Sequence, residues 1–190
     1  SSLIHEFRNP LTSIRGFIQL LKTEHHNIKY LDIISIELEQ LNFRLSQFLL
    51  LSKKELIGKE KVTFSLNDLI EEVLLFFYPS ISDGKVEIKK NMKKEIYING
   101  YADEIRQMLI NILFNAIDVL IPLTKNPLID INCRYLNDTH IKLDIANNGP
   151  KIPEDIVHSI FEPFVTTKTL SSGLGLFVCK EIIEKHKGYL

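Results

Sequence analysis

The stretch His5-Glu6-Phe7-Arg8-Asn9-Pro10 places an imidazole, a carboxylate and a carboxamide within about one helical turn. It stands at the start of a heptad pattern, which predicts that the histidine is presented on the surface of a helix. A histidine presented in this way can be phosphorylated, and the rest of the chain must then supply a phosphoryl donor. Because Pro10 cannot donate a hydrogen bond to the carbonyl of Glu6, we expect a bend beside the histidine.

The heptad pattern extends through residues 1–57 and predicts two long helices joined by a turn at His25-His26-Asn27. The apolar positions are Ile4, Phe7, Leu11, Ile14, Ile18 and Leu21 on the first helix and Leu31, Ile34, Leu38, Leu41, Leu45 and Phe48 on the second. Each helix carries a second apolar stripe that a lone hairpin cannot cover. A homodimer that forms a four-helix bundle covers both stripes, so we expect a homodimer.

Composition excludes several classes of protein. The 190 residues include 23 Lys and Arg against 24 Asp and Glu, a net charge of −1, whereas a nucleic-acid-binding domain is clearly basic. The two cysteines, Cys133 and Cys179, lack metal-type spacing and are predicted to be free thiols of a cytosolic protein. No apolar run reaches the length of a membrane span, and no signal peptide is visible.

Residues 58–190 alternate between strand and helix patterns, which predicts an α/β sandwich with an antiparallel or mixed sheet and an α+β fold for the whole chain. The predicted strands are 62–65, 86–90, 96–99, 129–135 and 141–145. The predicted helices are 67–78 ended by Pro79, 102–120 ended by Pro122, a short one near 153–161, and 174–186.

Three polar side chains share one face of the long predicted helix, because Asn111, Asn115 and Asp118 are spaced i, i+4 and i+7. Amide and carboxylate oxygens suit Mg²⁺ that bridges phosphates. The alternative is a solvated helix face. Asparagine is a poor helix former for such a face, and the helix alone leaves both interpretations open.

Glycines precede the last helix at Gly173 and Gly175, where backbone N–H groups can approach a phosphate at the positive end of the helix dipole. An ordinary loop-to-helix junction also favours glycine. Asn147-Asn148-Gly149 follows a strand, and by itself it is equally consistent with a plain turn.

Taken together, the chain resembles a sensor histidine kinase core over essentially its whole length. Five segments are similar to the family's motifs in the family's order: the H box (5–11), the N box (111–116), the first glycine box (147–153), the F box (161–164) and the second glycine box (173–176). Within the family, the segments H-E-F-R-N-P-L-T and F-I-Q-L-L-K look most like Bacillus-type sporulation kinases.

The resemblance implies a dimerisation and phosphotransfer hairpin (1–57) followed by an ATP-binding domain of the Bergerat type (58–190). His5 then attacks the γ-phosphate of ATP, Glu6 orients and deprotonates the imidazole, and Asn9 holds the phosphoryl group or a water. Glu6 and Asn9 also match the family's phosphatase pattern, so a reverse activity is expected.

At the donor end, the resemblance implies that ATP and Mg²⁺ bind in the second domain. Asn115 is the chief Mg²⁺ ligand with Asn111 as helper, Asp118, Asn147 and Gly149 contact the nucleotide, Lys168 meets the γ-phosphate, and Gly173 and Gly175 line the phosphates. The implied partners are a second copy of the chain, a response regulator receiver domain and small regulatory proteins on the hairpin. The implied location is the cytoplasmic part of a protein that is anchored in the membrane through an upstream sensor.

The sequence departs from the family at Asn147, where the family usually has Asp. Loss of the charge-assisted bond to the adenine amino group weakens binding by roughly 1 kcal/mol, about fivefold. We also expect poorer rejection of GTP, because a carboxamide can rotate to suit either purine edge. Family members continue with further strands beyond Gly188-Tyr189-Leu190, so C-terminal strands are expected to be missing.

Two other functions fit part of the sequence. A degenerate nucleotide-binding scaffold that acts through its hairpin is favoured by the altered first glycine box. A Bergerat-fold ATPase that uses water as acceptor leaves the hairpin and its histidine without a role.

Overall fold

The computed structural model describes residues 60–92, 94–166 and 173–190, together with Ile14. The chain divides into two compact units, Ser1–Ile57 with Ile160–Val178, and Gly58–Ser159 with Cys179–Leu190. The hairpin predicted for residues 1–57 lies outside the described residues, apart from Ile14, which is helical and buried. The predicted domain limits therefore stay a prediction.

The described residues form a mixture of helices and strands, as the predicted fold class requires. The elements are β1 (Val62–Ser65), α1 (Leu66–Phe76), α2 (Tyr78–Asp83), β2 (Glu87–Asn91), β3 (Tyr97–Gly100), α3 (Ala102–Leu123), β4 (Leu128–Tyr135), β5 (Ile141–Asn147) and α4 (Gly175–Lys185). The α+β class is thereby confirmed, and the strands lie within a few residues of their predicted positions.

The strands form two sheets. β1 pairs with β3 in antiparallel fashion, and the second sheet has the order β2-β4-β5, with β2 parallel and β5 antiparallel to β4. The predicted hairpin of the last two strands is therefore present. Alternate side chains of β4 are buried at Ile129, Ile131 and Cys133, so one face of this strand belongs to the core.

The helices supply the rest of the core. α1 begins at the N-cap Ser65, whose Oγ accepts a hydrogen bond from Asp68 N at 3.1 Å. Buried side chains repeat every three or four residues along α1 and α3, which pack against each other. These side chains are Leu66, Leu69, Ile70, Val73 and Leu74 on α1 and Ile105, Met108, Leu109, Leu113, Ala116, Ile117 and Leu120 on α3.

Both predictions that a proline ends a helix need correction. α1 ends at Phe76, and Pro79 lies in the first turn of α2, because a residue that lacks an N–H fits where helical N–H groups have no partner. α3 continues one residue past Pro122, to Leu123. A proline disturbs the preceding turn, and here that turn is already the last one.

The short helix predicted near 153–161 is not formed. The backbone there makes turns with i→i+3 bonds, from Ile156 N to Pro153 O at 3.2 Å and from Ser159 N to Ile156 O at 2.8 Å. Across the described ranges, no helix is both long and apolar enough to span a membrane.

Candidate functional site

The start of α3 is fixed by the end of α4. Tyr101, the N-cap residue, donates its N–H to Nε2 of His186 at 3.0 Å, and the Nδ1 of His186 lies 2.7 Å from the Ile182 carbonyl. Nδ1 therefore carries the imidazole proton in this arrangement. Lys185 pairs with Glu104 at 2.6 Å in the first turn of α3. The helix that carries the candidate asparagines is thus held firmly at its N-terminal end.

Asn111 is buried, so the alternative of a solvated helix face does not hold at this residue. Its side chain is 1% exposed, and its Oδ1 accepts from Nε2 of Gln107 at 3.3 Å. A hydrogen bond from Asn111 also favours the thiolate of Cys179, yet burial dominates and raises the pKa of this thiol to about 12. The α4 residues that follow Val178 cover this face, and the spacing along α3 does not reveal that.

Asn115 and Asp118 are more accessible than Asn111. Asn115 is half-buried, and within the described ranges its side chain has no hydrogen-bond partner. Asp118, nearly one turn further on, is exposed. A half-buried amide that finds no partner among the described residues favours a ligand at this position.

The turn after β5 holds the side chain of Asn147. The Oδ1 of Asn147 accepts from the Gly149 N–H at 3.0 Å, the geometry of an Asx turn. Asn147 is exposed, and the part of the chain that the structure describes offers its Nδ2 no acceptor. The bond to Gly149 therefore restricts rotation of this amide, contrary to the free rotation expected from the sequence.

Asn148 is a residue of this turn that the sequence reasoning did not select. Its side chain accepts from Leu128 N at 2.8 Å and donates to the Asn126 carbonyl at 2.8 Å, and its own N–H donates to the Leu128 carbonyl at 3.2 Å. The only sequence signal was a second asparagine directly after a strand.

Gly173 adopts the left-handed conformation, with φ at +66°. A Cβ at this position would lie 2.5 Å from the carbonyl carbon of Phe164 and 2.7 Å from the carbonyl oxygen of Val165. Phe164 N donates to the Gly173 carbonyl at 3.1 Å, and Phe164 also has a positive φ, +69°. Only glycine fits here, and Gly175 begins α4 two residues later.

The other predicted site residues lie outside the described residues. These are His5, Glu6, Asn9 and Lys168. Their assignments stay predictions from sequence.

The described residues suit Mg²⁺-bound ATP in two respects. The Asn115 amide, which has no partner among the residues that the structure describes, is the kind of oxygen ligand that Mg²⁺ accepts alongside phosphate oxygens and water. The N-terminus of α4 follows a glycine that lets the backbone approach closely, which suits a phosphate. No group of three or more His, Cys, Asp or Glu side chains within the described ranges is placed to hold a metal ion by itself.

Two family models match this chain. Residues 1–57 match the His Kinase A (phospho-acceptor) domain, and residues 100–190 match the histidine kinase-, DNA gyrase B- and HSP90-like ATPase. The chain is 32% identical to sporulation kinase C of Bacillus subtilis (strain 168) and 35% identical to sporulation kinase A of the same organism, with all of this chain aligned. It spans 44% and 31% of the lengths of these two relatives.

Two solved structures of a histidine kinase share a comparable sequence identity with this chain. The catalytic domain of histidine kinase ThkA is 35% identical, with a TM-score of 0.60 over 67% of this chain and 82% of that one. Histidine kinase ThkA in complex with response regulator protein TrrA is 33% identical, with a TM-score of 0.66 over 97% of this chain and 53% of that one.

Proposed function

The chain belongs to the histidine kinase family, and on this premise we propose that it is the core of an ATP-dependent protein-histidine kinase. Membership confirms the resemblance to sensor histidine kinases and, among them, to the Bacillus sporulation kinases. One observation carries the proposal: a phospho-acceptor match that contains His5 precedes, in one chain, an ATPase match that contains the asparagines of α3.

In the proposed reaction, a ring nitrogen of His5 attacks the γ-phosphorus of ATP. The nitrogen–phosphorus bond forms as the bond from phosphorus to the bridging oxygen breaks, and ADP leaves. Glu6 accepts the proton from the other ring nitrogen, which keeps the attacking nitrogen nucleophilic. Asn9, one turn after His5, holds the transferred group or, in a reverse phosphatase reaction, a water.

The site that binds ATP, the phosphoryl donor, is assigned to the second domain. Asn115 ligates Mg²⁺, which when bound neutralises charge on the phosphates. Because Asn111 is 1% exposed and bonds to Gln107 and Cys179, we assign it a supporting role within α3 instead of direct contact with the metal. The remaining residues assigned to nucleotide contacts are Asp118, Asn147 and Gly149. Lys168, Gly173 and Gly175 are assigned to the phosphates.

The proposed partners follow from the two halves of the chain. The hairpin forms a homodimer and passes the phosphoryl group to an aspartate of a response regulator, as the solved complex of the relative ThkA with a response regulator supports. Small regulatory proteins bind the same hairpin. In the cell, this core is the cytoplasmic portion of a protein that is anchored in the membrane through an upstream sensor.

The test is incubation of the chain with γ-labelled ATP and Mg²⁺, followed by treatment of the labelled protein with acid and base. Phosphohistidine is labile in acid and stable in base, so we expect label that acid removes. His5→Gln abolishes the label. His140→Gln, in the exposed loop between β4 and β5, is the matched control and keeps it.

Two results would contradict the proposal. Label that survives in His5→Gln would show that another residue is the acceptor. Nucleotide binding with no label in the unsubstituted chain would favour the degenerate scaffold instead.

A further inference from the structure

Asn148 ties the end of β5 to the segment that joins α3 to β4. Its Oδ1 accepts from Leu128 N at 2.8 Å, its Nδ2 donates to the carbonyl of Asn126 at 2.8 Å, and its N–H donates to the carbonyl of Leu128 at 3.2 Å. These bonds join residues 20 and 22 positions apart in sequence. The side chain therefore uses both its acceptor and its donor on backbone groups.

These bonds extend the β4–β5 pairing by one residue, with a side-chain oxygen in place of a backbone carbonyl. Asn147 is the last residue of β5 in register, opposite Ile129. One step beyond, both backbone groups of Leu128 bond to Asn148, but the acceptor for the Leu128 N–H is the side-chain oxygen of Asn148. The β5 backbone can consequently turn away at this point while the pairing of β4 stays satisfied.

The other side of the turn is held by α3. Gly149 is half-buried, and a Cβ there would lie 3.2 Å from Cγ2 of Val119 and 3.5 Å from Cδ2 of Leu120. The same Cβ would lie 2.8 Å from Oδ1 of Asn147. The two residues that follow Asn147 are therefore both held in place: Asn148 bonds to backbone groups at the start of β4, and Gly149 packs on α3.

We propose that Asn148 is a positioning residue that fixes the Asn147 amide in the orientation that reads adenine. This inference rests on the proposed function, because it assumes that the chain binds ATP. Asn148 contacts no nucleotide itself. It acts through the turn, and the quantity it controls is the preference for ATP over GTP.

The chemistry of the two purines gives the reason. The Asn147 oxygen has two lone pairs, one of which accepts from Gly149 N–H, so the second can accept from the adenine amino group while Nδ2 donates to the adjacent ring nitrogen. Guanine presents a carbonyl where adenine has the amino group and a ring N–H beside it, so it requires the reversed amide. Reversal would bring the Asn147 NH₂ against the Gly149 N–H and forfeit their bond.

The experiment measures the affinities of the full chain for ATP and for GTP, with Mg²⁺, by titration calorimetry. In Asn148→Ala we expect ATP affinity to fall about tenfold while GTP affinity changes by less than about twofold, so the preference for ATP falls at least about fivefold. Asn148→Asp keeps the acceptor for Leu128 N and loses the donor to Asn126, so its preference lies between those of wild type and Asn148→Ala. Inorganic triphosphate competes equally with ATP in all variants that fold.

Asn137→Ala is the matched control. Asn137 lies at the opposite end of the same hairpin, and its Oδ1 accepts from Thr139 N at 2.9 Å, His140 N at 2.8 Å and Thr139 Oγ1 at 3.0 Å. Its replacement removes a comparable set of bonds and leaves the ratio of ATP to GTP affinity unchanged. Thermal unfolding followed by circular dichroism compares the loss of stability between the variants.

The outcomes distinguish failure of this inference from failure of the proposed function. If Asn148→Ala and Asn148→Asp lose stability as Asn137→Ala does but keep the wild-type ratio, Asn148 is only structural and the inference is overturned. If the unsubstituted chain binds no ATP, the proposed function fails, and this inference fails with it. A reduced ratio in both Asn148 variants, graded as described, supports the inference.

Discussion

Replacement of Gly173 by alanine tests whether the contact between the F box and the second glycine box prepares the chain for ATP. An alanine at φ +66° costs about 1–2 kcal/mol, because Cβ crowds the neighbouring carbonyl. The new Cβ would also lie 2.5 Å from backbone of Phe164, so the bond from Phe164 N to the Gly173 carbonyl is lost, at about 1 kcal/mol. If the bound state requires this conformation, a total of roughly 2–3 kcal/mol lowers ATP affinity about 30- to 150-fold.

Titration calorimetry with Mg²⁺ and ATP measures this affinity, and two further variants identify its cause. Asparagine tolerates a positive φ but carries a Cβ, so Gly173→Asn should bind ATP as weakly as Gly173→Ala if the contact with Phe164 decides. Gly188→Ala is the matched control, because its Cβ would lie 3.1 Å from Cγ2 of Ile183 and 3.5 Å from the Ile183 carbonyl oxygen, and neither contact is as close as those at Gly173. We expect Gly188→Ala to change affinity by less than about twofold.

The result that would refute this reasoning is an ATP affinity of Gly173→Ala within twofold of wild type. Gly173 would then serve only as a convenient loop residue. Recovery of affinity in Gly173→Asn alone would show instead that the backbone conformation matters and the contact with Phe164 does not.

Three other predictions concern α3 and α4. Asn115→Ala should lower ATP affinity at least about tenfold in buffer with Mg²⁺ and little in buffer with EDTA, as measured by titration calorimetry. An equal loss of affinity in both buffers would exclude Asn115 as a metal ligand. Burial raises the pKa of Cys179 to about 12, so the unfolded chain loses this thiol proton at a lower pH than the folded chain does. The free energy of unfolding therefore falls as pH rises from about 9 towards 12, and urea unfolding should show a shallower fall in Cys179→Ala. His186→Ala leaves the Tyr101 N–H without its acceptor and should lower the free energy of unfolding in urea by about 1–2 kcal/mol. The control, His158→Ala at an exposed position, should lower it by less than about 0.5 kcal/mol. Equal losses in the two variants would mean that the bond to Tyr101 contributes nothing.

Sequence periodicity predicted the elements that carry the strongest patterns. The alternation at Ile129, Ile131 and Cys133 gave β4, and the 3–4 spacing of apolar residues gave α3. The prolines misled the prediction of helix ends, because the effect of a proline depends on which turn of a helix it occupies.

The candidate site was predictable in part. Helical spacing correctly relates Asn111, Asn115 and Asp118, but it cannot show which segment covers the face, and the cover over Asn111 comes from α4, some 70 residues away. The role of Asn148 was out of reach for the same reason. Its partners lie on another strand and loop, and only the register of β4 with β5 brings them together.

The link between Tyr101 and His186 also bears on synthesis of the protein at the ribosome. The two residues are 85 positions apart, so the first turn of α3 is translated long before the imidazole that accepts its N–H. Until the chain has been extended past residue 186, this N–H is left to water, and α3 depends on α1 and the strands alone. The packing of α3 at its N-terminal end is therefore completed only after α4 and His186 have been translated, and a nascent chain arrested before α4 should be digested by protease more readily than one arrested after His186.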